Sequence, residues 1–469
     1  MGDTRRVKTI LAGLVAVLLL GACQADWSTV GFDLQRTGDN PLETTLTPAT
    51  VAGLQEEWAA PVGSYVNTSP VVASDILPDG TIKTYAYVGD EAGDFEAVDT
   101  ATGAVVWHHQ LGSHLGGPNN PGCAQSPFGV TSTPVIDPTT GRIYVVDGDD
   151  ELSAFDLASG APVPGWPLAL STDPGSEHVW SGLTLSGGVL YVAVASDCDN
   201  PPYRGRLVAV DTSTVQVTGT FDVEDPAGPD GGGIWGWGGA SVNPAGTDLY
   251  VAPGNALGPD SNAGYADHVV ELSATDLSVV GSDLPSIPQG DQDLSGTPVL
   301  FQGTGCPAEL AVEAKDGSLF LYQQDDLGAG PLQTLQLADP TPDDFIGDPA
   351  WDGSTGTLYV SNSSASVGFP NGMLAFGLDA GCRLTPRWQA QLGPAASVVS
   401  PPIVAAGVVY YADGAGDTVY ALDGATGSVL WSHQLPGPVF TRLTVTNGVL
   451  YASCWDGNLY AFSLPPTGG

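Results

Sequence analysis

The chain has 469 residues and carries 52 acidic against 12 basic side chains, so its formal charge at pH 7 is -40. This balance excludes a generic nucleic-acid-binding protein and electrostatic attachment to anionic lipid, because both require clustered Lys and Arg. Hydrophobic residues make up 42% of the chain, and 63 Gly with 38 Pro indicate a folded protein with many turns.

The first 22 residues have the pattern of an export signal. Arg5, Arg6 and Lys8 precede an apolar run over residues 10–20, which is too short to span a bilayer comfortably and favours a cleaved leader. The following Leu-Gly-Ala-Cys, ending at Cys23, resembles the lipobox of bacterial lipoproteins. We expect an exported chain held at the extracytoplasmic face of the cell membrane by a lipid on Cys23. An ordinary secretory signal with an incidental cysteine is the alternative.

Export permits disulfides, and five cysteines remain after Cys23. Cys123 and Cys198 both lie in loops rich in Pro and Asn, whereas Cys306 and Cys382 lie in Gly-Cys turns, so we pair them in that way. Cys454 lies in a strand-like segment and is expected to be a buried thiol. The chain has no Cys-x-x-Cys-His for haem attachment and no cysteine spacing that suits zinc.

One phrase recurs after the leader: an apolar residue with Tyr, a polar turn, a strand ending in Ala-x-Asp, then Thr-Gly and a strand with Trp. The clearest copies are residues 86–107 (AYVGDEAGDFEAVDTATGAVVW) and 410–431 (YYADGAGDTVYALDGATGSVLW). Degenerate copies are anchored at Tyr144, Tyr191, Tyr250, Ala311, Tyr359 and Tyr451. Eight copies at this spacing predict a repeat protein.

The repeat predicts an all-β fold, an eight-bladed β-propeller over residues 54–465. Apolar and polar residues alternate within each copy and are interrupted by Asp-Gly and Thr-Gly turns, as in short antiparallel strands. The last copy lacks its Trp strand, and residues 54–58 are expected to supply it and so close the ring. Seven blades are the alternative, because the fifth copy is weak. Residues 23–53 would form the anchor and lead-in segment, and 466–469 a tail.

Residues 421–431 (ALDGATGSVLW) resemble the repeat of quinoprotein alcohol dehydrogenases and of non-enzymatic propellers with the same repeat. Residues 27–38 (WSTVGFDLQRTG) resemble the N-terminal segment of secreted, polyvinyl-alcohol-dehydrogenase-like members. The resemblance covers residues 27–465 and implies the fold. It does not by itself imply an activity, because the repeat is mostly structural.

The resemblance implies that an active member holds pyrroloquinoline quinone beside a calcium ion in the central funnel. On that basis Asn255, which follows Gly254, would be a metal ligand, and Lys315 would contact the quinone oxygens. Asp291 and Asp293 correspond to an Asp-x-Asp segment upstream of that lysine. Lys315 also stands out because Lys83 is the only other lysine after the leader.

Several positions depart from the enzymes' pattern. No Glu stands where a calcium ligand is expected; Asp197 or Asp199 would have to take its place. The adjacent cysteine pair that caps the quinone is missing, and Cys198 stands alone. The catalytic carboxylate is either Asp260 or Asp267. The aromatic platform beneath the quinone is either Trp235 or Trp237, although tryptophans flanked by glycines more often fill the propeller channel than stack on a cofactor.

Two functions follow. The first is a cell-surface binding or scaffold module with an unidentified protein partner. The second is a calcium- and quinone-dependent dehydrogenase of a small alcohol that passes electrons to a separate acceptor, since no haem domain is fused. In both cases we expect a monomer that reaches the membrane only through its N-terminal lipid. The enzyme requires Asn255, Lys315 and two of the candidate aspartates to converge on one funnel.

Overall fold

The computed structural model describes residues 26–76, 81–116, 127–196, 198–225, 227–294, 296–340, 347–395 and 399–466. Cys23, Cys123 and Asp197 lie outside these ranges. Eight antiparallel sheets, each with four principal strands, follow one another along the chain, as the repeat predicts. We number the sheets as blades 1 to 8 and letter their strands A to D in the order of pairing. The eight-bladed prediction is confirmed over the seven-bladed alternative.

The strands of blade 1 are Val71–Ile76, Ile82–Gly89, Asp94–Asp99 and Ala104–Gln110; those of blade 2 are Val135–Asp137, Arg142–Val146, Glu151–Asp156 and Leu168–Ala169. Blade 3 contains Thr184–Ser186, Val189–Ser196, Arg206–Asp211 and Gln216–Asp222, with Glu177–His178 added beside strand B. Blade 4 contains Ser241–Val242, Asp248–Val251, Val269–Ser273 and Val279–Asp283.

The strands of blade 5 are Val299–Gln302, Ala308–Glu313, Ser318–Gln323 and Gln333–Gln336; those of blade 6 are Ala350–Asp352, Thr357–Asn362, Gly372–Leu378 and Leu384–Gln391. Blade 7 contains Ile403–Ala405, Val408–Asp413, Thr418–Asp423 and Val429–Gln434, with Asp39–Asn40 parallel to strand A; blade 8 contains Thr444–Thr446, Val449–Ser453, Asn458–Ser463 and Gln55–Pro61. A short hairpin pairs His114–Leu115 with Pro127–Phe128, and the 3-10 helices are Val51–Gly53 and Gln324–Ala329.

The A strands surround the central axis, because A strands of neighbouring blades contact one another. The D strands lie outside and are largely exposed, as Ala104–Gln110 shows. The ring closes through residues from both ends of the chain: Gln55–Pro61 pairs antiparallel with Asn458–Ser463 as strand D of blade 8. This confirms the predicted closure by the N-terminal strand, which protects an edge that would otherwise be exposed.

The outer Trp of the repeat docks one blade onto the next at four junctions, at three of them against a turn glycine. The indole of Trp107 in blade 1 donates to the Leu157 carbonyl of blade 2 at 3.0 Å. A Cβ at Gly160 would lie 2.7 Å from that ring, and its φ of +68° also favours glycine. The same indole bond joins Trp58 to Thr100, Trp388 to Gly424 and Trp431 to Leu54. The recurrent residues are therefore the contacts between blades.

The segment 27–40 crosses the axis and is hydrogen-bonded to the A strands around it. Its carbonyl oxygens accept bonds from Val72, Ile136, Val242, Leu300, Trp351 and Val404, which belong to blades 1, 2, 4, 5, 6 and 7. The side chain of Arg36 is fully buried and donates to the Val30 carbonyl and to Thr184 of blade 3. Residue 26 enters beside Ser74, whose amide bonds the Asp26 carboxylate at 2.9 Å. The segment therefore fills the channel.

The structure contains a disulfide between Cys306 and Cys382, the pair that the sequence suggests, with Cα atoms 5.7 Å apart; it joins blades 5 and 6. Cys198 is also disulfide-bonded, and its expected partner Cys123 lies outside the described residues. Cys454 is a buried free thiol. Among the described helices, none is long and apolar enough to cross a membrane.

Candidate functional site

A funnel of about 710 Å³ opens at one end of the ring. It lies where the B strands of blades 1, 3, 4, 5 and 8 end and where the chain approaches the A strands of blades 1 to 5 and 8. The polar residues that line it are Asn67, Glu91, Ser196, Asp199, Asn255, Asp293 and Lys315. The aromatic residues are Tyr65, Phe128, Trp180, Tyr203, Trp235, Trp237, Phe440 and Trp455. A cavity of this size and mixed lining suits a small organic molecule.

Asp293 is the centre of the polar wall. It precedes strand A of blade 5 and is 4% exposed. Its carboxylate accepts a bond from the backbone N–H of Asn255 at 2.7 Å and from the indole of Trp235 at 3.2 Å. The ammonium of Lys315 lies 2.7 Å from the same carboxylate. The three partners come from blades 4 and 5, so Asp293 fixes the relative positions of both loops.

Gly254 allows this close approach. A Cβ at this position would lie 2.9 Å from the Asp293 carboxylate and 3.1 Å from the Trp235 indole nitrogen. The amide nitrogen of the Asn255 side chain donates to the Ala256 carbonyl at 3.2 Å. Since Asn255 lines the funnel, its amide oxygen can serve as an acceptor or ligand for a bound group.

Lys315 has three partners. Its ammonium pairs with Asp291 at 2.5 Å and with Asp293 at 2.7 Å, and it lies 5.2 Å from the centre of the Trp235 ring. Burial on its own lowers the pKa of Lys315, but the two carboxylates outweigh burial and raise that pKa above its ordinary value. The lysine is therefore a fixed cation at neutral pH.

Asp199 lies on the same side of the funnel, after strand B of blade 3. It accepts a hydrogen bond from the hydroxyl of Tyr203 at 2.5 Å. Desolvation raises the pKa of Asp199, and the charge of Asp293 adds to the rise. Asp199 is thus electrostatically coupled to the central carboxylate, as expected for a replacement of the missing Glu.

Of the two candidate bases, Asp267 lies beneath the polar wall. Its backbone N–H bonds the Gly254 carbonyl at 3.2 Å. The carboxylate is buried, with neither oxygen in a well-formed hydrogen bond within the described chain. Desolvation, followed by the charge of Asp293, raises the pKa of Asp267 to about 8. Asp260 is exposed, contacts the N–H of Asn262 and does not line the funnel.

The opposite wall is aromatic, and the sequence analysis did not identify it. Trp455 packs against Phe440 with ring centres 4.6 Å apart and against Tyr65 at 5.4 Å; Phe128 and Trp180 form a second pair at 5.3 Å. These residues come from blades 1, 2, 3 and 8. Trp180 and Trp455 do not occupy the outer-strand position at which the repeat carries its Trp. A tryptophan at such an unusual position is the one sequence signal that could have revealed them.

A family model described as outer membrane protein assembly factor BamB matches residues 54–226 and 384–466, which is more than half of the chain. The chain belongs to this PQQ-like β-propeller family. No protein of curated function matches the chain in sequence.

Solved structures share the fold of this PQQ-like propeller. Quinohemoprotein alcohol dehydrogenase from Comamonas testosteroni is 15% identical, with a TM-score of 0.70 over 95% of this chain and 82% of that one. A europium-containing methanol dehydrogenase is 13% identical, with a TM-score of 0.71 over 94% and 98%. BamB from Moraxella catarrhalis is 13% identical, with a TM-score of 0.58 over 87% and 99%. At these identities the likeness establishes the fold alone.

The donor set of this PQQ-like propeller is chemically suited to a calcium ion. Asn255 offers an amide oxygen, and Asp199 and Asp293 offer carboxylates, which are hard oxygen ligands. With Asp291, these carboxylates outnumber the ammonium of Lys315, which pairs with Asp291 and Asp293, so a bound cation would offset the excess negative charge. Within the described ranges, Cys306, Glu309 and Cys382 are the one group of three His, Cys, Asp or Glu side chains whose ligand atoms lie within 4.8 Å of one another, and both cysteines are in a disulfide.

The structure therefore brings most of the sequence candidates together. Asn255, Asp293, Lys315, Asp199, Trp235 and Trp237 line one funnel, Asp291 lies at its edge and Asp267 lies beneath it. Both tryptophans face the cavity, but Trp235 is tied to Asp293 and lies beside Lys315. Asp260 does not join them.

Proposed function

We propose that this PQQ-like propeller is an exported binding module whose funnel takes a small organic molecule. One observation carries the proposal: the funnel combines eight aromatic residues with one fixed ion-paired lysine and lies at a single end of the ring. Aromatic faces provide apolar contact area, and a few convergent polar groups orient the ligand. The funnel favours a small ligand over the unidentified protein partner that the sequence also permits.

Binding to the funnel can be measured through its own tryptophans. Titration of the purified exported chain with calcium and pyrroloquinoline quinone should quench the fluorescence of Trp235 and Trp237. Lys315→Met should weaken quinone binding about tenfold or more, because it removes the only cation on the polar wall. Lys83→Met is the matched control, since Lys83 pairs with Asp99 in blade 1, away from the funnel. Equal effects of both variants would refute the role of Lys315.

The second candidate is a quinone-dependent alcohol dehydrogenase, and the convergence of Asn255, Asp293 and Lys315 favours it. Asn255, Asp199 and Asp293 would hold calcium, while Lys315 and a tryptophan would position the quinone. When bound, the quinone accepts the electrons of alcohol oxidation. Asp267 is the better candidate for accepting the alcohol proton, because its raised pKa suits a base near neutral pH.

Alcohol-dependent reduction of a dye separates the two functions. The dehydrogenase requires turnover that depends on calcium, quinone and alcohol and that Asp267→Asn abolishes. Asp260→Asn is the matched control and should retain activity, because Asp260 is exposed outside the funnel. Tight quinone binding without dye reduction would leave the binding module and reject the enzyme.

Attachment to the membrane through Cys23 is a separate proposal that rests on the leader sequence. Cys23→Ser should release the protein from the membrane fraction into the medium or the extracytoplasmic space. Mass spectrometry of the N-terminal peptide should show a diacylglyceryl cysteine in the unmodified sequence. An unmodified Cys23, or a leader cut elsewhere, would reject the tether without touching the funnel proposals.

A further inference from the structure

The aromatic wall of the funnel contains a buried negative charge. Glu91 follows strand B of blade 1, is 3% exposed and lines the cavity. Its carboxylate accepts bonds from the side-chain amide of Asn67 at 2.6 Å, the N–H of Gly129 at 2.9 Å and the hydroxyl of Thr131 at 2.8 Å. All three donors are neutral, so they satisfy the oxygens without cancelling the charge.

Glu91 also connects the two aromatic clusters. Asn67, which donates to Glu91, accepts the indole N–H of Trp455 at 2.7 Å. On the other side, Thr131 is bonded to His178 at 2.8 Å, and the His178 ring packs against Trp180. In the part of the chain that the structure describes, no Lys, Arg or His forms an ion pair with Glu91. The charge is therefore open to compensation by a ligand.

Acidic side chains outnumber basic ones among the residues that line the funnel. Glu91, Asp199 and Asp293 line it, and Lys315 is its basic residue. Lys315 lies on the polar wall and is already paired with Asp291 and Asp293. A ligand that approaches the aromatic wall thus meets aromatic rings and a carboxylate without a charged partner, and both can attract a cation.

We propose that the aromatic wall binds an organic cation of the quaternary ammonium class. The inference rests on the proposed small-molecule function of the funnel and names its ligand. Three of the roughly four acceptor sites of Glu91 are occupied, so an ammonium with several N–H groups would find few acceptors there. A fully methylated ammonium donates no such bonds and is recognised by aromatic faces and a nearby negative charge.

Calorimetric titration of the exported chain at pH 7.5 with choline and with its uncharged isostere 3,3-dimethyl-1-butanol tests the proposal. Choline should bind at least tenfold more tightly than the isostere, because the two differ in charge but hardly in shape. Trp455→Leu should weaken choline binding about five- to thirty-fold. Glu91→Gln should reduce the preference for choline over the isostere. Glu309→Gln removes another buried carboxylate, in blade 5, and should change neither affinity.

The cation proposal is overturned if choline and the isostere bind with equal affinity, or if the unaltered protein does not bind choline. Either result decides the question without the affinities of the variants. Quinone binding in that same preparation would show that the funnel still takes small molecules, so the two proposals fail separately. The source of the cation is distinguished by vesicles of phosphatidylcholine. Co-sedimentation that depends on Glu91 indicates a lipid headgroup, and choline binding without co-sedimentation indicates a free solute.

Discussion

Lys315 pairs with one buried and one exposed carboxylate, and this makes the site a test of how burial governs an ion pair. The Asp293 side chain is 6% exposed and the Asp291 side chain 61%, while both lie within 2.7 Å of the ammonium. Asp293→Asn keeps one oxygen that can accept the bond from the backbone N–H of Asn255. Its NH2 group, however, would face the donors of Lys315 or Trp235, where the carboxylate oxygen had accepted their bonds. Breaking a buried pair typically costs 3–5 kcal/mol, and since Asp291 still compensates Lys315 we expect about 3 kcal/mol. Asp291→Asn should cost at most about 1 kcal/mol.

Urea unfolding followed by tryptophan fluorescence measures both losses, with equal denaturant slopes as the condition for comparing free energies of unfolding. A high-salt series adds a second criterion. The contribution of the Asp291 pair should fall with salt, whereas that of the buried Asp293 pair should persist. If Asp291→Asn destabilised the protein as much as Asp293→Asn, burial would not govern this site and Asp293 would not be its centre.

Further predictions concern the ring as a whole. Replacing Cys306 and Cys382 by Ser should lower the free energy of unfolding by as much as about 4.5 kcal/mol, because the disulfide closes a loop across a separation of 76 residues. Unchanged denaturation midpoints would contradict this. Burial and a neighbouring carboxylate raise the pKa of Asp267 from 3.8 to about 8 on folding. The protonated form therefore stabilises the fold fully below pH 4, and this contribution is lost as the pH rises towards 8. Asp267→Asn should flatten this part of a profile of stability against pH. Trp107→Phe should cost about 1 kcal/mol by thermal or urea unfolding, because it leaves the Leu157 carbonyl unpaired but keeps a ring against Gly160. The melting temperature should rise strongly between low and molar salt, because salt screens the repulsion within a chain of charge -40. A melting temperature that does not change with salt would exclude adaptation of the protein to high salt.

The fold was predictable because its information is local and repeated. The Thr-Gly turn before the outer strand is kept in blades 1 and 7, and an outer Trp lies in the D strands of blades 1, 6, 7 and 8, so the pattern is visible although other copies are degenerate. Trp107 and Gly160 lie in different blades, yet both belong to the same phrase of the repeat. The missing outer strand of the last copy predicted the partner of Asn458–Ser463 in the same way.

The polar wall of the funnel was predictable and the aromatic wall was not. Asn255, Asp293 and Lys315 come from neighbouring blades and lie in short motifs whose order resembles a known family. Glu91 and Trp455 are separated by almost the whole chain and meet only because the ring closes. Both residues lie in polar turns of the repeat, and nothing in the repeat indicates that these two turns share a cavity.

With a lipid on Cys23, the segment that crosses the channel would also determine which way the molecule faces. The Asp26 carboxylate accepts a bond from the N–H of Ser74, which lies towards the end of strand A of blade 1 that is remote from the funnel. Glu91, in contrast, follows strand B at the end that faces the funnel. The chain therefore leaves the ring on the side opposite the funnel mouth. A lipid on Cys23, three residues before Asp26, would hold that closed side against the bilayer. The mouth would then point outward, and any ligand would arrive from the surroundings of the cell and depart by the route it came.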